Sequence, residues 1–411
     1  MSAPPPYASF ATFAQTPDGD FLLSVLCKRT YRWTMSGEVG WADEQRPLMH
    51  DIELAARGDR NGEIVTQGRD VWPLKRATDV VVMGHAHSPG ETPVPRLDVG
   101  VSIGAQRRQI VAIGPRFVEH RGRGQIAFSP PAPFTSVKVS WWNAYGGIDP
   151  MVLPRGLEDT PMFMGRPTLE LFPGAYPRNP SGTGYMIEET ASLLDGLALP
   201  LLEQPTQLLT PDTFLVRDAK QWWRRPPPAG FGWCHSLWFP RILHCGGKPY
   251  HMPPPPGPGT IVNEFALGMI EAEELSAAAR RFPSPRLTNE AAPDMILPFL
   301  AGDEVVRLQG FSPRGEQGFR LRHERPQVRA RVDGVELAPL GCHIHTLAID
   351  ADAREFYLLF STRFAIGGEL AIDLIAQAEV DEIIPRCEVR VDDRMLARDE
   401  WPSAEGDTEG S

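Results

Sequence analysis

The chain has no surplus of positive charge. Among its 411 residues, 41 lysines and arginines face 52 aspartates and glutamates, a formal net charge of −11 at pH 7. No global field draws such a chain onto nucleic acid or an anionic bilayer, so neither is expected as a partner. Long apolar runs are missing too. The longest strongly apolar stretches, Val80-Val81-Val82-Met83 and Phe356 to Phe360, fall far short of the roughly 18 residues of a membrane-spanning helix. Met1 to Gln15 has neither the charged start nor the continuous apolar core of a secretory signal, and the first basic residue is Lys28, so the expected compartment is the cytoplasm. Cysteine is sparse: Cys27, Cys234, Cys245, Cys342 and Cys387 form an odd, scattered set that suits a reducing compartment better than a disulfide framework. There is no G-x-S-x-G elbow and no H-E-x-x-H helix. Gly182-Thr183-Gly184 lacks the lysine that a nucleotide-binding loop would add, and reads as a shaped turn.

Proline and glycine are abundant. The 42 prolines are about twice the ordinary share, and with 38 glycines they describe a folded, loop-rich, β-rich chain. Alternation supports this. From Phe21 to Trp33 the odd positions are mainly apolar or aromatic while Ser24, Lys28, Thr30 and Arg32 hold the other register, which predicts a long half-buried strand. Leu97, Val99, Val101 and Ile103, followed by a break and then Ile110 to Ile113, predict a hairpin. Val137, Val139 and Trp141 predict a further strand. Near the end, Phe319 and Leu321, then Val328, Ala330 and Val332, then Leu347 and Ile349 turning through Asp350-Ala351-Asp352 into Glu355 to Phe360, and finally Cys387, Val389 and Val391, continue the pattern. Helices are expected only at 190–202, weakened by Gly196 and Pro200, and at 271–281, where acids lead and arginines close. The expectation is a mainly β protein: an N-terminal lobe over 1–150, a Pro/Gly-rich irregular middle over 151–260, a C-terminal lobe over 261–398 with a short helix, and an acidic tail over 399–411. The two lobes are expected to be sandwich-like.

Few constellations suggest chemistry. Cys234-His235, His244-Cys245, His251 and Cys342-His343-Ile344-His345 are the densest metal-like residues, but adjacent Cys-His pairs on a strand point to opposite faces and do not match zinc spacing. Buried thiols with ordinary histidines are the plainer reading, and no metal or other cofactor is expected. His85 and His87 flank Ala86 and share one face without a third ligand nearby in sequence. Glu158-Asp159 and Asp350/Asp352 read as solvated pairs. The aromatic-glycine segments carry recognition chemistry instead: Trp141, Trp142 and Tyr145, then Tyr176, Arg178, Asn179 and Tyr185, combine rigid contact groups with main-chain-exposing turns and are the candidate protein-binding residues. Alternatively, these aromatics cap a core and the glycines merely permit positive φ.

The same segments resemble a family. Lys75 with Thr78-Asp79-Val80-Val81-Val82-Met83-Gly84-His85-Ala86, Asn143-Ala144-Tyr145-Gly146-Gly147-Ile148-Asp149 and Tyr176-Pro177-Arg178-Asn179-Pro180-Ser181-Gly182-Thr183-Gly184-Tyr185 come first. Leu199-Pro200-Leu201-Leu202-Glu203-Gln204-Pro205, Pro228-Ala229-Gly230-Phe231-Gly232, Trp238-Phe239-Pro240-Arg241 and Asn289-Glu290-Ala291-Ala292-Pro293-Asp294 follow in order, leading to Gly302-Asp303-Glu304. Together these resemble domain-of-unknown-function family 2169, whose members accompany type VI secretion systems of Gram-negative bacteria. The resemblance implies a cytoplasmic adaptor or chaperone, not an enzyme. Its partners would be a secreted effector or PAAR-type carrier and the VgrG spike onto which that cargo is loaded. It implies structural roles for Asp79, Gly84, Gly146, Gly147, Pro177, Pro180, Gly182, Gly184, Trp238 and Arg241, and no catalytic residue. The alternatives are a β-sandwich carbohydrate-binding module using Trp141, Trp142 and Tyr145, or a metal-dependent hydrolase using the Cys/His cluster.

Overall fold

The structure, a computed structural model, describes residues 4–15, 21–56, 62–71, 75–149, 151, 162–163, 166–167, 174–187, 192–215, 222, 224–243, 284–332, 335–338, 340–366 and 387–394. It is mainly β, as the alternation predicts. Two large sheets dominate. The first runs in the order Ala8–Gln15, Phe21–Trp33, Glu355–Ile366, His343–Asp350, Thr78–Met83, Ile296–Leu297, with Val39–Trp41 added beside Phe21–Trp33. All its pairs are antiparallel except Thr78–Met83 with His343–Asp350. The second runs Leu202–Glu203, Gln106–Ile113, Arg96–Ile103, Val305–Gln309, Gln317–Arg320, antiparallel throughout.

The expected division into an N-terminal and a C-terminal lobe is corrected by these pairings. Phe21–Trp33 lies against Glu355–Ile366, and Arg96–Ile103 lies against Val305–Gln309, so both ends of the chain build the same two sheets. Alternation reveals that a segment is a strand and which face is apolar, but not its neighbour. One core joins the sheets: Leu23, Val25 and Val80 of the first pack in a single cluster with Val99, Val101 and Leu308 of the second. An aromatic stack crosses between them, with Phe319 of the second sheet at 4.5 Å from Trp33 and 4.6 Å from Phe356 of the first. A smaller core under the proline-rich middle gathers Tyr145, Tyr176, Tyr185, Phe214, Trp222 and Phe239.

Local readings fare well where the signal is local. The predicted hairpin forms as Arg96–Ile103 with Gln106–Ile113, Ile103 opposite Gln106. The late hairpin turns between Asp350 and Glu355, and Arg325–Val332 pairs with Cys387–Arg394. Two expectations change. Phe21–Trp33 is not half-buried, because Ser24, Lys28, Arg29 and Thr30 are as buried as Leu23 and Val25. The second face is covered by the segment that follows: Lys28 Nζ donates to Pro47 O at 2.8 Å and pairs with Asp70 at 2.6 Å. Strand structure also stops at Lys138, and Trp141 sits in a 3₁₀ turn, Trp141–Asn143, whose Ser140 hydroxyl accepts from Trp142 N.

Within 190–202, residues 192–202 form turns and a short strand, not a helix; Gly196 has φ +80° and Pro200 removes a donor. The predicted helix at 271–281 and the acidic tail lie outside the described residues. No helix among the described residues is long and apolar enough to cross a membrane.

Candidate functional site

The Tyr-Pro-Arg-Asn-Pro-Ser-Gly-Thr-Gly-Tyr segment closes a clasp on the Trp-Trp-Asn-Ala-Tyr-Gly-Gly segment. Tyr145–Gly146 pairs in parallel with Thr183–Gly184. Asn179 is fully buried and its amide donates to Trp141 O at 2.8 Å and Tyr145 O at 3.2 Å, while its backbone O accepts from Gly147 N at 2.8 Å and Gly182 N at 3.2 Å. Gly146 has φ +146°, and a Cβ there would lie 2.1 Å from Asn179 O, so only glycine permits this approach. Gly147 and Gly184 also hold positive φ. Gly182 lies against Ala144 O, and Thr183 N donates to that same oxygen at 2.9 Å, so these amides are spent on the clasp and not on an anion. Pro177 and Pro180 are buried, and Pro177 O accepts from Phe239 N at 2.7 Å.

Of the two readings of the aromatics, protein-binding residues or a capped core, burial corrects the first and supports the second. Trp141, Trp142, Tyr145, Tyr176, Asn179 and Tyr185 are all buried, none more than 7% exposed. Tyr145 OH accepts from Arg225 at 3.0 Å, Tyr176 OH donates to Pro226 O at 3.1 Å, and Trp141 Nε1 donates to Trp233 O at 2.8 Å. Burial pushes the Tyr145, Tyr176 and Tyr185 hydroxyls above the ordinary phenol range, so they stay neutral. With their faces packed inside, Trp141, Trp142 and Tyr145 cannot stack on a sugar. An aromatic-glycine pattern looks the same in sequence whether the rings face solvent or each other. Of the seven candidate binding residues, Arg178 alone reaches partial exposure.

A second built unit is a buried charge network. Lys75 Nζ lies 2.6 Å from Asp79 and 3.6 Å from Glu290, and Arg241 lies 3.6 Å from the other Glu290 oxygen. Asp79 accepts three bonds from the backbone of a segment far along the chain: Glu290 N at 3.1 and 3.0 Å and Ala291 N at 3.0 Å. Cys234 N donates to Glu290 O at 2.7 Å, and an Arg241 N–H donates to Cys234 O. Gly84, at φ +140°, ends the Asp79 strand and lets the chain turn into His85–His87.

Between clasp and network opens a cavity of about 370 Å³, in the range of ligand and side-chain pockets, on the order of 300–1,000 Å³. The family motifs meet around it. The Trp-Trp-Asn segment supplies Trp141, the clasp segment Arg178, and Leu-Pro-Leu-Leu-Glu-Gln-Pro supplies Gln204. Pro228 begins the Pro-Ala-Gly-Phe-Gly segment, Trp238 and Arg241 bracket Trp-Phe-Pro-Arg, and Ala291 to Asp294 close the ring, with Arg286 just before them. Sequence reasoning missed this cavity. The order of the motifs was the available signal, and none of it said that they converge.

The cavity offers recognition groups and little reactivity. Cys234 lines it, but burial pushes its thiol up to about 12, so the thiol stays protonated at neutral pH and is a poor nucleophile. His235, next in sequence, is buried and held neutral, its pKa lowered to about 4 by burial and by Arg241. Its Nδ1 accepts from Leu237 N at 3.1 Å, a role that only the unprotonated nitrogen can fill. A histidine whose folded pKa is depressed adds stability that is complete above pH 6.5 and is lost as pH falls toward 4. The shift corresponds to about 3 kcal/mol. The expected result is a stability loss of that size across this window which His235→Asn, keeping an acceptor without a titrating ring, largely removes. Equal acid sensitivity of the two proteins in denaturant titrations would exclude it.

The other Cys/His residues are dispersed. Cys342 is buried beside Cys27, which with burial raises its thiol pKa. His343 stacks on Phe299 at 4.6 Å, His345 is fully buried beside Thr346, and His244, Cys245 and His251 lie outside the described residues. Among the described residues no group of three or more His, Cys, Asp or Glu is placed to hold a metal. His85 and His87 do share a face, both lining an open pocket, where His85 Nδ1 lies 2.7 Å from Asp352. Asp350 caps Ala353 N at 3.0 Å and faces Arg46, and Glu158-Asp159 lies outside the described residues.

Fold and site thus define a mainly β protein whose ordered motif segments build one recess suited to binding. Residues 18–361 match the family described as "Uncharacterized protein conserved in bacteria (DUF2169)", and the chain belongs to that family. No curated protein and no solved structure matches it.

Proposed function

We propose that the chain is an adaptor or chaperone of type VI secretion. It holds a toxic effector or its PAAR-type carrier in the cytoplasm, promotes loading onto the VgrG spike, and makes or breaks no covalent bond. The observation that carries this reading is the convergence of the family motifs on one recess whose wall is rich in aromatic, proline, amide and guanidinium groups while its one thiol is held protonated. Such a wall suits capture and release of a polypeptide: rigid apolar surface for contact, and a few polar groups for register. Proline on both sides of the recess limits the ordering cost of binding.

Co-purification tests it. The native chain is expected to form a complex with an effector, PAAR-type or VgrG protein encoded beside its gene, and deletion of the gene is expected to abolish delivery of that effector. Absence of any such complex, together with normal delivery in the deletion strain, refutes the reading.

A further inference from the structure

The sign of charge around the cavity is opposite to that of the molecule. Arg178, Arg241 and Arg286 line it against the single carboxylate of Asp294, in a chain whose net charge is −11. Arg241 already faces Glu290, which belongs to the neutral buried network behind the wall. Arg178 is different. Among the described residues it meets the Tyr176 hydroxyl at 3.5 Å and the Trp222 ring at 5.5 Å, both uncharged, and forms no ion pair. Guanidinium held against an aromatic face beside a recess is preset for a carboxylate, which it can meet with two parallel hydrogen bonds.

The remaining wall narrows what carries that carboxylate. Pro227 and Pro228, partly exposed, and Pro293, exposed, give rigid apolar surfaces over the buried Trp238 and Phe239, the kind that extended chain segments use in proline-lined grooves. Gln204, Thr206 and Gln207 lie along the same wall, the last two exposed, and an amide or hydroxyl can both donate to and accept from a peptide main chain. We propose that the cavity receives an extended polypeptide segment bearing an aspartate or glutamate side chain, with Arg178 holding the carboxylate and the Pro227–Pro228 wall covering the adjacent apolar residue. The assignment deepens the adaptor reading and rests on it only in taking the occupant to be a polypeptide.

Peptide display against the full native chain tests it. Enriched sequences are expected to share an acid at one fixed position. In a synthetic copy with blocked termini, Glu→Gln at that position is expected to weaken binding about tenfold, the size of one charge-assisted contact. Arg178→Gln is expected to weaken it similarly while melting like the native protein, with Arg178→Lys in between, and added salt is expected to reduce binding. No enrichment, enrichment without a shared acid, equal binding of the Gln peptide, or full affinity in the folded Arg178→Gln variant overturns the proposal. If an arginine variant melts early, the Glu/Gln peptide pair on the native chain still decides. Co-purification separates the two readings. A secretion complex that survives the folded Arg178→Gln variant removes the acidic-segment assignment and leaves the adaptor. A selected acidic peptide that needs Arg178, with no secretion complex at all, removes the adaptor and leaves the cavity chemistry.

Discussion

Lys75→Met is expected to lower stability by about 3–5 kcal/mol, the usual cost of removing one partner from a buried ion pair. Lys75 and Asp79 are both fully buried at 2.6 Å, and with Glu290 and Arg241 they form a set of two cations and two anions. Methionine fills similar space but leaves one buried negative charge uncompensated. The network also fixes the chain path, because Asp79 holds the backbone of Glu290 and Ala291, which lead into the cavity wall. Restoring neutrality with Glu290→Gln in the Lys75→Met background is expected to recover part of the loss. Chemical denaturation measures both; a single-variant loss below about 1 kcal/mol would show that the charges are screened as at a surface.

Trp141→Ala is expected to cost about 3–5 kcal/mol, the range for an aromatic truncated in a core. The ring is 4% exposed, packs edge-on against Trp238 at 5.8 Å and donates to Trp233 O. A Cβ on Gly230 would come within 2.9 Å of it, so backbone closes over the ring. Truncation opens a void and leaves the Trp233 carbonyl without this donor. Trp141→Phe, which keeps most of the volume, is expected to lose less. A denaturation curve for Trp141→Ala close to native would mean that the ring lies at the surface, and would return it to the list of candidate contacts.

What was legible in the sequence follows the range of the forces involved. The hairpin of Arg96–Ile103 and Gln106–Ile113 was readable because period-two burial and a short connection are both local. The extent of Phe21–Trp33 was readable, but its second buried face was not. Lys28 looks like a solvent-facing residue until Asp70, 42 positions away, is placed beside it. Arg29 is likewise buried with distant partners, Glu324 at 3.1 Å and Pro5 O at 2.6 Å. For the aromatic segments the sequence left two readings open, binding residues or core, and only packing chose the second, since Tyr145, Tyr176 and Tyr185 find one another rather than solvent.

Alternating side chains determined by themselves that this would be a β protein, and the ordered motifs determined its family. Both are written in residue identity along the chain, where a strand chooses its buried face without consulting distant partners. Tertiary structure alone decided that the two ends of the chain share sheets, that the motif aromatics are core, and that segments from Trp141 to Asp294 surround one basic recess. The reason is physical: strand pairing and the neutralisation of buried charge depend on which groups meet across 200 or more positions, as Asp79 meets Glu290 211 residues away.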